Sequence, residues 1–392
     1  MDFPSVLPAK SSPLVSVVML SYNHDRFVGE AARSVLEQSM QDFELIVVDD
    51  CSTDSSWGVL SSFDDPRVRL FRNSKNKGIA VSRDLGIEQA RGQYIAIFNS
   101  DDRFLPDKLD KQVYFLQNHP DVAAVTTYVR PIDETGQLIL EHPYHELFRQ
   151  ANRSRYQWLN HFFLHGNCLA HPSALIRRKC YSDVGIYDPR LFQMSDFDFW
   201  VRLCLQKDIW IVPEQLTEFR ILNNNGNVSS NTLEHQMRSQ WEFAEILPRF
   251  FAISTLQEFD SIFPGNRSQL DDDHVDLIPF LLARLALKVN HPCHRLFALQ
   301  TIHRLMADPQ KAKRIDELLG FEYRDLIALT GTQDIFGLQN ATAIQSQLQE
   351  RLASREAELR SVLDSKSWHV TRPLRCIARY AKAVLTRKGS LF

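Results

Sequence analysis

The chain has 392 residues, which is long enough for two domains or for one large domain with appendages. Hydrophobic residues make up 44% of it and charged residues 24%, as in ordinary soluble globular proteins. The formal net charge of −3 gives no reason to expect a nucleic-acid partner, and six cysteines without a CxxC pair argue against a disulfide framework or a structural zinc site. The N-terminus shows no secretory signal and no apolar run reaches membrane-spanning length, so we expect a cytoplasmic protein.

Strand-like and helix-like segments alternate over the first half of the chain. The predicted strands are 15–20, 43–48, 68–71, 94–98, 122–129, 209–212 and 219–222, and the helices between the first of them are 26–38, 55–63, 80–90 and 109–118. This alternation predicts a mainly parallel sheet with helices on both faces. The chain has no GxGxxG after its first strand and no GxxxxGK[ST], so neither a dinucleotide-binding fold nor a P-loop NTPase is supported.

From about residue 232 the pattern becomes helical, which predicts an α-helical C-terminal region after the α/β domain. We divide the chain into an N-terminal tail (1–12), an α/β domain (13–235), a helical domain (236–335), a polar helix (336–365) and a basic tail (366–392). The polar helix has an imperfect apolar stripe, so a solvated helix and a short coiled coil that forms an oligomer are both open.

The basic tail carries seven Lys and Arg residues and no acid. Leu374, Ile377, Ala381 and Val384 fall on one helical face of it, which predicts a helix that lies on an anionic membrane surface. The protein would then be peripheral on the inner face of the cytoplasmic membrane. The alternative is a tail that packs on the protein or is disordered.

Polar residues follow three of the predicted strands at the points where these strands end, as Ser21-Tyr22-Asn23, Asp49-Asp50 and Asp101-Asp102. The carboxyl ends of parallel strands meet at one edge of a sheet, where α/β proteins bind nucleotides, so these loops predict a site for a nucleoside diphosphate. Adjacent carboxylates repel each other unless a cation lies beside them, and Mg²⁺ or Mn²⁺ shared with a phosphate suits that arrangement. Taken alone, the Asp101-Asp102 pair could also be a surface turn before a helix N-cap.

A second cluster, Ser195-Asp-Phe-Asp-Phe-Trp-Val-Arg202, has helical spacing. Asp198 and Arg202 lie one turn apart in it, which predicts a structural ion pair. Trp200 is expected mainly in the core, with stacking under a sugar as the alternative.

These segments, in this order, resemble glycosyltransferase family 2, whose members share the GT-A fold. The matching residues are 15–23, 47–54, 76–78 with 80–83, 98–102 and 195–202, and the resemblance covers roughly residues 13–230. It implies a nucleoside-diphosphate sugar donor, usually a UDP-sugar, with Mg²⁺ or Mn²⁺ as cofactor and a hexosyl group as the one transferred. It also implies donor-binding roles for Ser21, Tyr22, Asn23, Asp50, Asn76, Gly78, Arg83 and Asp101, with Asp102 as the principal metal ligand and Asp101 as a second.

Asp196 matches the catalytic base of that family. A sugar hydroxyl is a poor nucleophile, so a carboxylate must accept its proton as it attacks the anomeric carbon. Direct attack from the face opposite the nucleotide inverts the configuration. The resemblance further implies phosphate or acceptor contacts at His171, Ser173, Trp200 and Arg202.

Two positions depart from the family pattern. Asn99 stands where many members have a further acid, and Leu222-Asn223-Asn224 stands where many have a histidine, so the third metal ligand is open. Residues 367–375 resemble the end of some bacterial cell-surface glycosyltransferases, which implies a glycan or lipid-linked acceptor. The alternatives are a non-catalytic sugar-nucleotide-binding or scaffold protein and, less supported, a nucleotidyltransferase.

Overall fold

The computed structural model describes residues 12–223, 227, 230, 232–371 and 373–374. The chain divides into two compact units, Met1–Thr330 and Gly331–Phe392. The helices that follow residue 235 belong to the first unit as far as Thr330. Most of the predicted membrane-binding tail lies outside the described residues.

An eight-stranded mixed sheet forms the centre of the first unit. Its strands are β1 Val15–Ser21, β2 Phe43–Asp49, β3 Val68–Arg72, β4 Tyr94–Asn99, β5 Arg103–Phe104, β6 Val122–Ile132, β7 Leu175–Arg177 and β8 Asp208–Arg220. They lie in the order β3-β2-β1-β4-β7-β6-β8-β5. The pairs among β3, β2, β1 and β4 are parallel, as is β6 with β8, whereas β7 and β5 pair antiparallel with their neighbours. The predicted mainly parallel, mixed sheet is therefore confirmed.

Helices cover both faces of this sheet and continue to the end of the described chain. They are α1 Val28–Leu36, α2 Ser56–Ser61, α3 Ile79–Gln89, α4 Lys108–Asn118, α5 Tyr144–Leu147, α6 Arg155–His165, α7 Arg178–Asp183, α8 Ser195–Cys204, α9 Leu233–Ile246, α10 Leu256–Ile262, α11 Ile278–Ala286, α12 Pro292–Met306, α13 Pro309–Leu319, α14 Tyr323–Thr332, α15 Leu338–Asp364 and α16 Lys366–Val370. Within the described residues, no helix is long and apolar enough to cross a membrane.

The two faces of the sheet bury separate cores, as the alternation of side chains along β1 requires. Val15, Val17 and Met19 pack with α1 and α4 on one face. Val18 and Leu20 pack on the other face, in a core that also contains residues of α6, α8 and α9–α13. The predicted helical region is thus part of the core that supports α8.

One predicted boundary is wrong. The two strands expected at 209–212 and 219–222 are a single strand, β8, and Leu222 lies beyond its end. Pro213 lies inside this strand, although proline cannot donate to a sheet ladder. In the structure the β6–β8 register shifts after Val212, and this bulge accommodates the residue without ending the strand.

Candidate active site

Three strands bring their polar ends to one edge of the sheet. The β1–β2 register pairs Ser21 with Asp49, and the β1–β4 register pairs Leu20 with Asn99. The Asp50 N–H donates to the Ser21 carbonyl at 2.8 Å, and the Ser100 N–H donates to the Leu20 carbonyl at 3.1 Å. The predicted convergence of the three polar loops is therefore present.

Asp50 organises the loop that leads into α3. Its buried carboxylate accepts hydrogen bonds from the side chain of Asn73 at 2.8 Å and from the N–H groups of Lys77 at 2.9 Å and Gly78 at 2.8 Å. Gly78 has φ 87°, which glycine adopts without the steric cost of a side chain. Asn76 is exposed in this loop, and its side-chain oxygen accepts from the Gly78 N–H at 3.1 Å. Asp50 therefore fixes the position where α3 begins.

The residues at the end of β1 differ in their exposure and in their hydrogen-bond partners. The Ser21 hydroxyl is buried and has no hydrogen-bond partner among the described residues. Tyr22 is 43% exposed at the same edge. Asn23 has φ 53°, and its side-chain oxygen accepts from the Thr53 N–H at 2.8 Å. An exposed aromatic ring at this edge of the sheet can stack on a planar ligand.

The acidic pair lies buried beyond the end of β4. Both oxygens of Asp102 accept hydrogen bonds, one from the Arg220 N–H at 2.9 Å and the other from Asn99 Nδ2 at 3.1 Å. Asp101 accepts from Asn227 Nδ2 at 3.5 Å. Burial raises the pKa of Asp101, and burial together with the Asp101 charge raises the pKa of Asp102 well above its ordinary value.

Arg220 stabilises the backbone around Asp101 and Asp102, and its guanidinium is almost fully buried. It donates to the carbonyl oxygens of Asp101 at 2.7 Å and Asp133 at 2.8 Å, and it pairs with Glu30 at 2.6 Å. Most of its donors are thereby engaged with the protein, which fixes the backbone at Asp101. Among the described residues, no group of three or more His, Cys, Asp or Glu side chains could hold a metal ion.

Asp196 lies in the first turn of α8, on the sheet face that α3 also covers. One of its oxygens accepts from Asn167 Nδ2 at 3.0 Å and the other from the Phe197 N–H at 2.8 Å. Burial raises its pKa, and the charge of Arg83 and these two donors offset part of that effect. Arg83 donates to the Ser195 hydroxyl at 2.9 Å, while its Nε has no partner within the described chain.

Arg83 also contacts an aromatic cluster that contains Tyr187 and His171. The guanidinium carbon of Arg83 lies 3.5 Å from the centre of the Tyr187 ring, a cation–π contact. The Tyr187 hydroxyl is 2.7 Å from His171 Nε2. Burial and the Arg83 charge lower the pKa of His171 well below its ordinary value, which keeps the imidazole neutral at pH 7. The predicted positions Arg83, His171 and Asp196 therefore share one neighbourhood.

The other predicted contact residues have structural partners. Ser173 is fully buried, and its hydroxyl donates to the Ala170 carbonyl and accepts from the Thr127 N–H. Trp200 is fully buried in the core, as the main alternative predicted. Arg202 pairs with Asp198 at 2.8 Å and donates to the carbonyl of Ile186 at 2.9 Å. In this structure Ser173, Trp200 and Arg202 support the site rather than face it.

Two residues at this site were not predicted. Asn167 follows α6 and holds Asp196, but a lone asparagine carries no sequence pattern that marks it. Glu242 comes from α9, is almost fully buried, and accepts hydrogen bonds from the N–H groups of Phe192 at 2.8 Å, Gln193 at 2.8 Å and Met194 at 2.7 Å. Glu242 thus anchors the segment that leads directly into the first turn of α8.

Comparison with known proteins agrees with this geometry. The model of glycosyl transferase family 2 matches residues 16–183. An uncharacterized glycosyltransferase of Methanocaldococcus jannaschii is 30% identical over 223 residues, which cover 55% of this chain and 74% of that protein. The chain belongs to glycosyl transferase family 2. The sheet flanked by helices, with a helical region after it, is the GT-A architecture that the family resemblance implied.

Two further glycosyltransferases and one solved structure are also similar. The putative glycosyltransferase EpsE of Bacillus subtilis is 32% identical over 241 residues, which cover 58% of this chain and 82% of that protein. The putative teichuronic acid biosynthesis glycosyltransferase TuaG of the same organism is 29% identical over 240 residues, covering 60% and 88%. The structure of S. aureus TarS 1–349 in complex with UDP-GlcNAc has a TM-score of 0.49 and 18% identity, covering 78% of this chain and 83% of that one.

Proposed function

We propose that this family 2 glycosyltransferase is an inverting, metal-dependent enzyme that moves a sugar from a nucleoside-diphosphate sugar to a hydroxyl of a glycan or lipid-linked acceptor. The observation that carries the proposal is the pairing of Arg83 with the start of α8. Arg83 lies in α3, whose preceding loop is held by Asp50, and it brings a cation beside the partly buried carboxylate of Asp196 at the start of α8. A carboxylate that accepts a proton and a cation that faces phosphate are the two groups such a transfer needs.

The donor nucleotide would lie along the carboxyl ends of β1 and β2. Tyr22 offers an exposed ring for stacking on the base, and the unpartnered Ser21 hydroxyl offers a donor or acceptor. Asp50 supports this part of the site through the N–H groups of Lys77 and Gly78. The unpartnered Nε of Arg83 is a donor that could face a phosphate oxygen.

Asp101 and Asp102 would hold Mg²⁺ or Mn²⁺, and their environment suits that role. Mg²⁺ is commonly bound through one or two carboxylates together with substrate phosphates, so a site without a third acidic residue is sufficient. Both Asp102 oxygens keep a second lone pair after accepting one hydrogen bond each. The bound ion would stabilise the negative charge that develops on the departing diphosphate. Asn223 or water is the expected third ligand, and the Asn227 amide contacts Asp101.

Asp196 would accept the proton of the attacking hydroxyl. Its raised pKa makes it a stronger base than an exposed aspartate, although it must still be ionised to act. Asn167 and the Phe197 N–H each occupy one lone pair of its two oxygens and so orient the carboxylate. Attack on the face opposite the diphosphate then inverts the configuration at the anomeric carbon.

The acceptor class rests on relatives rather than on geometry. TuaG is named for teichuronic acid biosynthesis, and residues 367–375 resemble the end of some bacterial cell-surface glycosyltransferases. We therefore expect a cell-surface glycan or its lipid-linked precursor as acceptor. Such an acceptor would agree with peripheral binding to an anionic membrane surface through residues 366–392.

A donor screen tests this proposal. The full chain is mixed with UDP and with a panel of nucleotide sugars, with and without Mn²⁺, and thermal shift identifies the donor before its consumption is measured. We expect stabilisation by one nucleotide class in the presence of Mn²⁺, loss of that effect in Asp102→Ala, and slow hydrolysis of the matching sugar. Binding without turnover on any acceptor would favour the alternative of a non-catalytic sugar-nucleotide-binding or scaffold protein.

A further inference from the structure

The long helix α15 of the second unit presents an apolar stripe to solvent. Ile344, Leu348, Leu352, Leu359 and Val362 are each between 51% and 61% exposed. The helix has 27 residues, which corresponds to about 40 Å at 1.5 Å per residue. Large apolar side chains aligned over such a length are typical of a helix that packs against another one.

Apart from Ile344, the residues of the stripe follow a heptad repeat. When Leu338 is assigned to position a, the a positions are Leu338, Gln345, Leu352 and Leu359, and the d positions are Ala341, Leu348, Arg355 and Val362. Six of these eight core positions are apolar. The two polar ones, Gln345 and Arg355, lie at equal distances on either side of residue 350.

We propose that α15 pairs with the α15 of a second copy of this chain in an antiparallel two-stranded coiled coil. In such a pair each a residue lies in one layer with a d residue of the other helix. When Leu352 faces the partner's Leu348, Gln345 faces the partner's Arg355. The outer layers then pair Leu359 with Ala341 and Leu338 with Val362. Each polar residue at an a or d position thus meets a polar one, and every apolar residue at an a or d position meets an apolar one. Ile344 is at a g position, at the edge of the interface.

The charges favour this orientation over the parallel one. A parallel pair would place Arg355 against the partner's Arg355 in a core layer, where like charges are poorly screened. It would gain flanking pairs between Arg351 and the partner's Glu356, but exposed ion pairs contribute little. The antiparallel pair instead brings two Arg351 side chains near each other at its solvent-exposed edge, where repulsion is weak.

The helix itself needs such a partner. Isolated helices are marginally stable in water, and most helix stability in proteins comes from packing of an apolar face. A polar single helix can be supported by many ion pairs between successive turns. Within the described part of α15, the structure shows the pair Arg355–Glu358 at 3.0 Å and no other. A second copy supplies the missing packing without any additional component, because the stripe is complementary to itself.

Hydrodynamic measurements on the full chain test the interface. We expect a dimer by sedimentation, with dissociation on dilution, and a monomer for the double variant Leu348→Asp/Leu352→Asp. The matched control is Ser346→Asp/Ala353→Asp, which adds the same charges to α15 away from the stripe and should remain a dimer. A wild-type monomer would overturn the proposal, since the stripe would then be covered by another segment or another protein. A Leu348→Asp/Leu352→Asp variant that stays dimeric would also overturn it.

One substitution tests the orientation. In the antiparallel pair, Gln345→Glu places a carboxylate opposite the partner's Arg355. In a parallel pair, position 345 faces position 345 of the other copy, so the two new carboxylates would repel each other. We expect a roughly two- to tenfold lower dissociation constant, because two new ion pairs form per antiparallel dimer. A higher dissociation constant would contradict the antiparallel arrangement.

Cross-linking gives a second reading of the orientation. The antiparallel pair brings position 348 of one copy opposite position 352 of the other, whereas a parallel pair brings each position opposite itself. We expect separately purified Leu348→Cys and Leu352→Cys proteins to form a mixed disulfide when they are combined under mild oxidation, with wild type as background. Disulfides that form only within each separate preparation would contradict the antiparallel pair.

Discussion

Arg83 donates a 2.9 Å hydrogen bond to the hydroxyl of Ser195, the first residue of α8. This contact joins two parts of the site that are 112 positions apart in the chain. Arg83 lies in α3, which begins after Gly78, and the Gly78 N–H is bound by Asp50. The loop proposed to hold the donor and the helix that carries the proposed base are therefore linked through one short helix. We therefore expect a substitution in the Asp50 loop to affect the position of Asp196, and a substitution at the start of α8 to affect donor binding.

Replacing Asp50 tests the donor side of this link. Asp50→Asn keeps one acceptor oxygen but removes the charge that binds two backbone N–H groups and Asn73. A hydrogen bond to a charged group contributes about 1.5–3 kcal/mol, so we expect KM for the donor to rise roughly tenfold or more. Asp64→Asn, at an exposed position, is the control and should leave KM unchanged. An unchanged KM in Asp50→Asn would remove this residue from the donor site.

Replacing Glu242 tests whether the helical region positions Asp196. Glu242→Gln loses at least one of three backbone hydrogen bonds and should let the start of α8 shift. Small displacements of a reacting group are costly, so we expect kcat to fall roughly tenfold while KM for the donor changes little. Glu245→Gln, exposed on the same helix, should behave like wild type. Equal losses of kcat in both variants would argue against a positioning role for Glu242.

The pH profile reports on Asn167. Its amide stabilises the ionised form of Asp196, so Asn167→Ala should raise the pKa of that carboxyl further. Because the base must be ionised, the acidic limb of kcat/KM should move to higher pH. Asn160→Ala, which removes a bond to the Ile262 carbonyl instead, should leave the limb in place. A limb that moves equally in both variants would contradict the assignment.

Stability should depend on pH through Lys108, whose side chain is fully buried over the Phe104 ring with Gln112 as its partner. Burial lowers its pKa to about 7, so between pH 7 and about 10.4 the unfolded chain binds a proton that the folded chain does not. The unfolding free energy of wild type should therefore rise with pH relative to Lys108→Met, by at most about 1.4 kcal/mol per unit. Urea unfolding at several pH values measures the difference.

Lys111→Met is the matched control for that measurement. Lys111 lies on the same helix but at the surface, paired with Asp107 and Glu214. Lys111 is hardly buried, and its ion pairs raise its pKa, so it is protonated in the folded and the unfolded chain at both pH 7 and pH 9. Lys111→Met should therefore change the unfolding free energy by the same amount at the two pH values. A pH dependence equal to that of Lys108→Met would mean that the Lys108 environment is not the cause.

The strands and the polar loops that follow them could be predicted because both depend on local pattern. The apolar run of β4 and the acidic pair Asp101-Asp102 lie within a few residues of each other, so the sequence alone indicates a buried strand with a polar end. Parallel pairing then requires such ends to meet, and the register of Ser21 with Asp49 confirms it. The paired roles of Asp198 and Arg202 were also predictable, since helical spacing alone brings them together.

The supporting residues could not be predicted because their partners are distant in the chain. Arg220 binds the Asp101 carbonyl across 119 positions, and Glu242 binds Met194 across 48. In the sequence both look like ordinary charged surface residues, as Lys108 does. Their burial results from the packing of β8, α9 and α4 on the sheet, which no local pattern specifies. The same holds for Ser173, whose hydroxyl is used within the fold.

The central claim is that Asp196 accepts the proton of the attacking hydroxyl, and Asp196→Asn tests it most directly. Asparagine has the same shape but cannot act as a base. Transfer or hydrolysis of the identified donor is followed for this variant, and UDP binding is measured by calorimetry on the same preparation. We predict that turnover falls by at least about 100-fold while UDP affinity stays unchanged. Turnover within a few-fold of wild type would contradict the account.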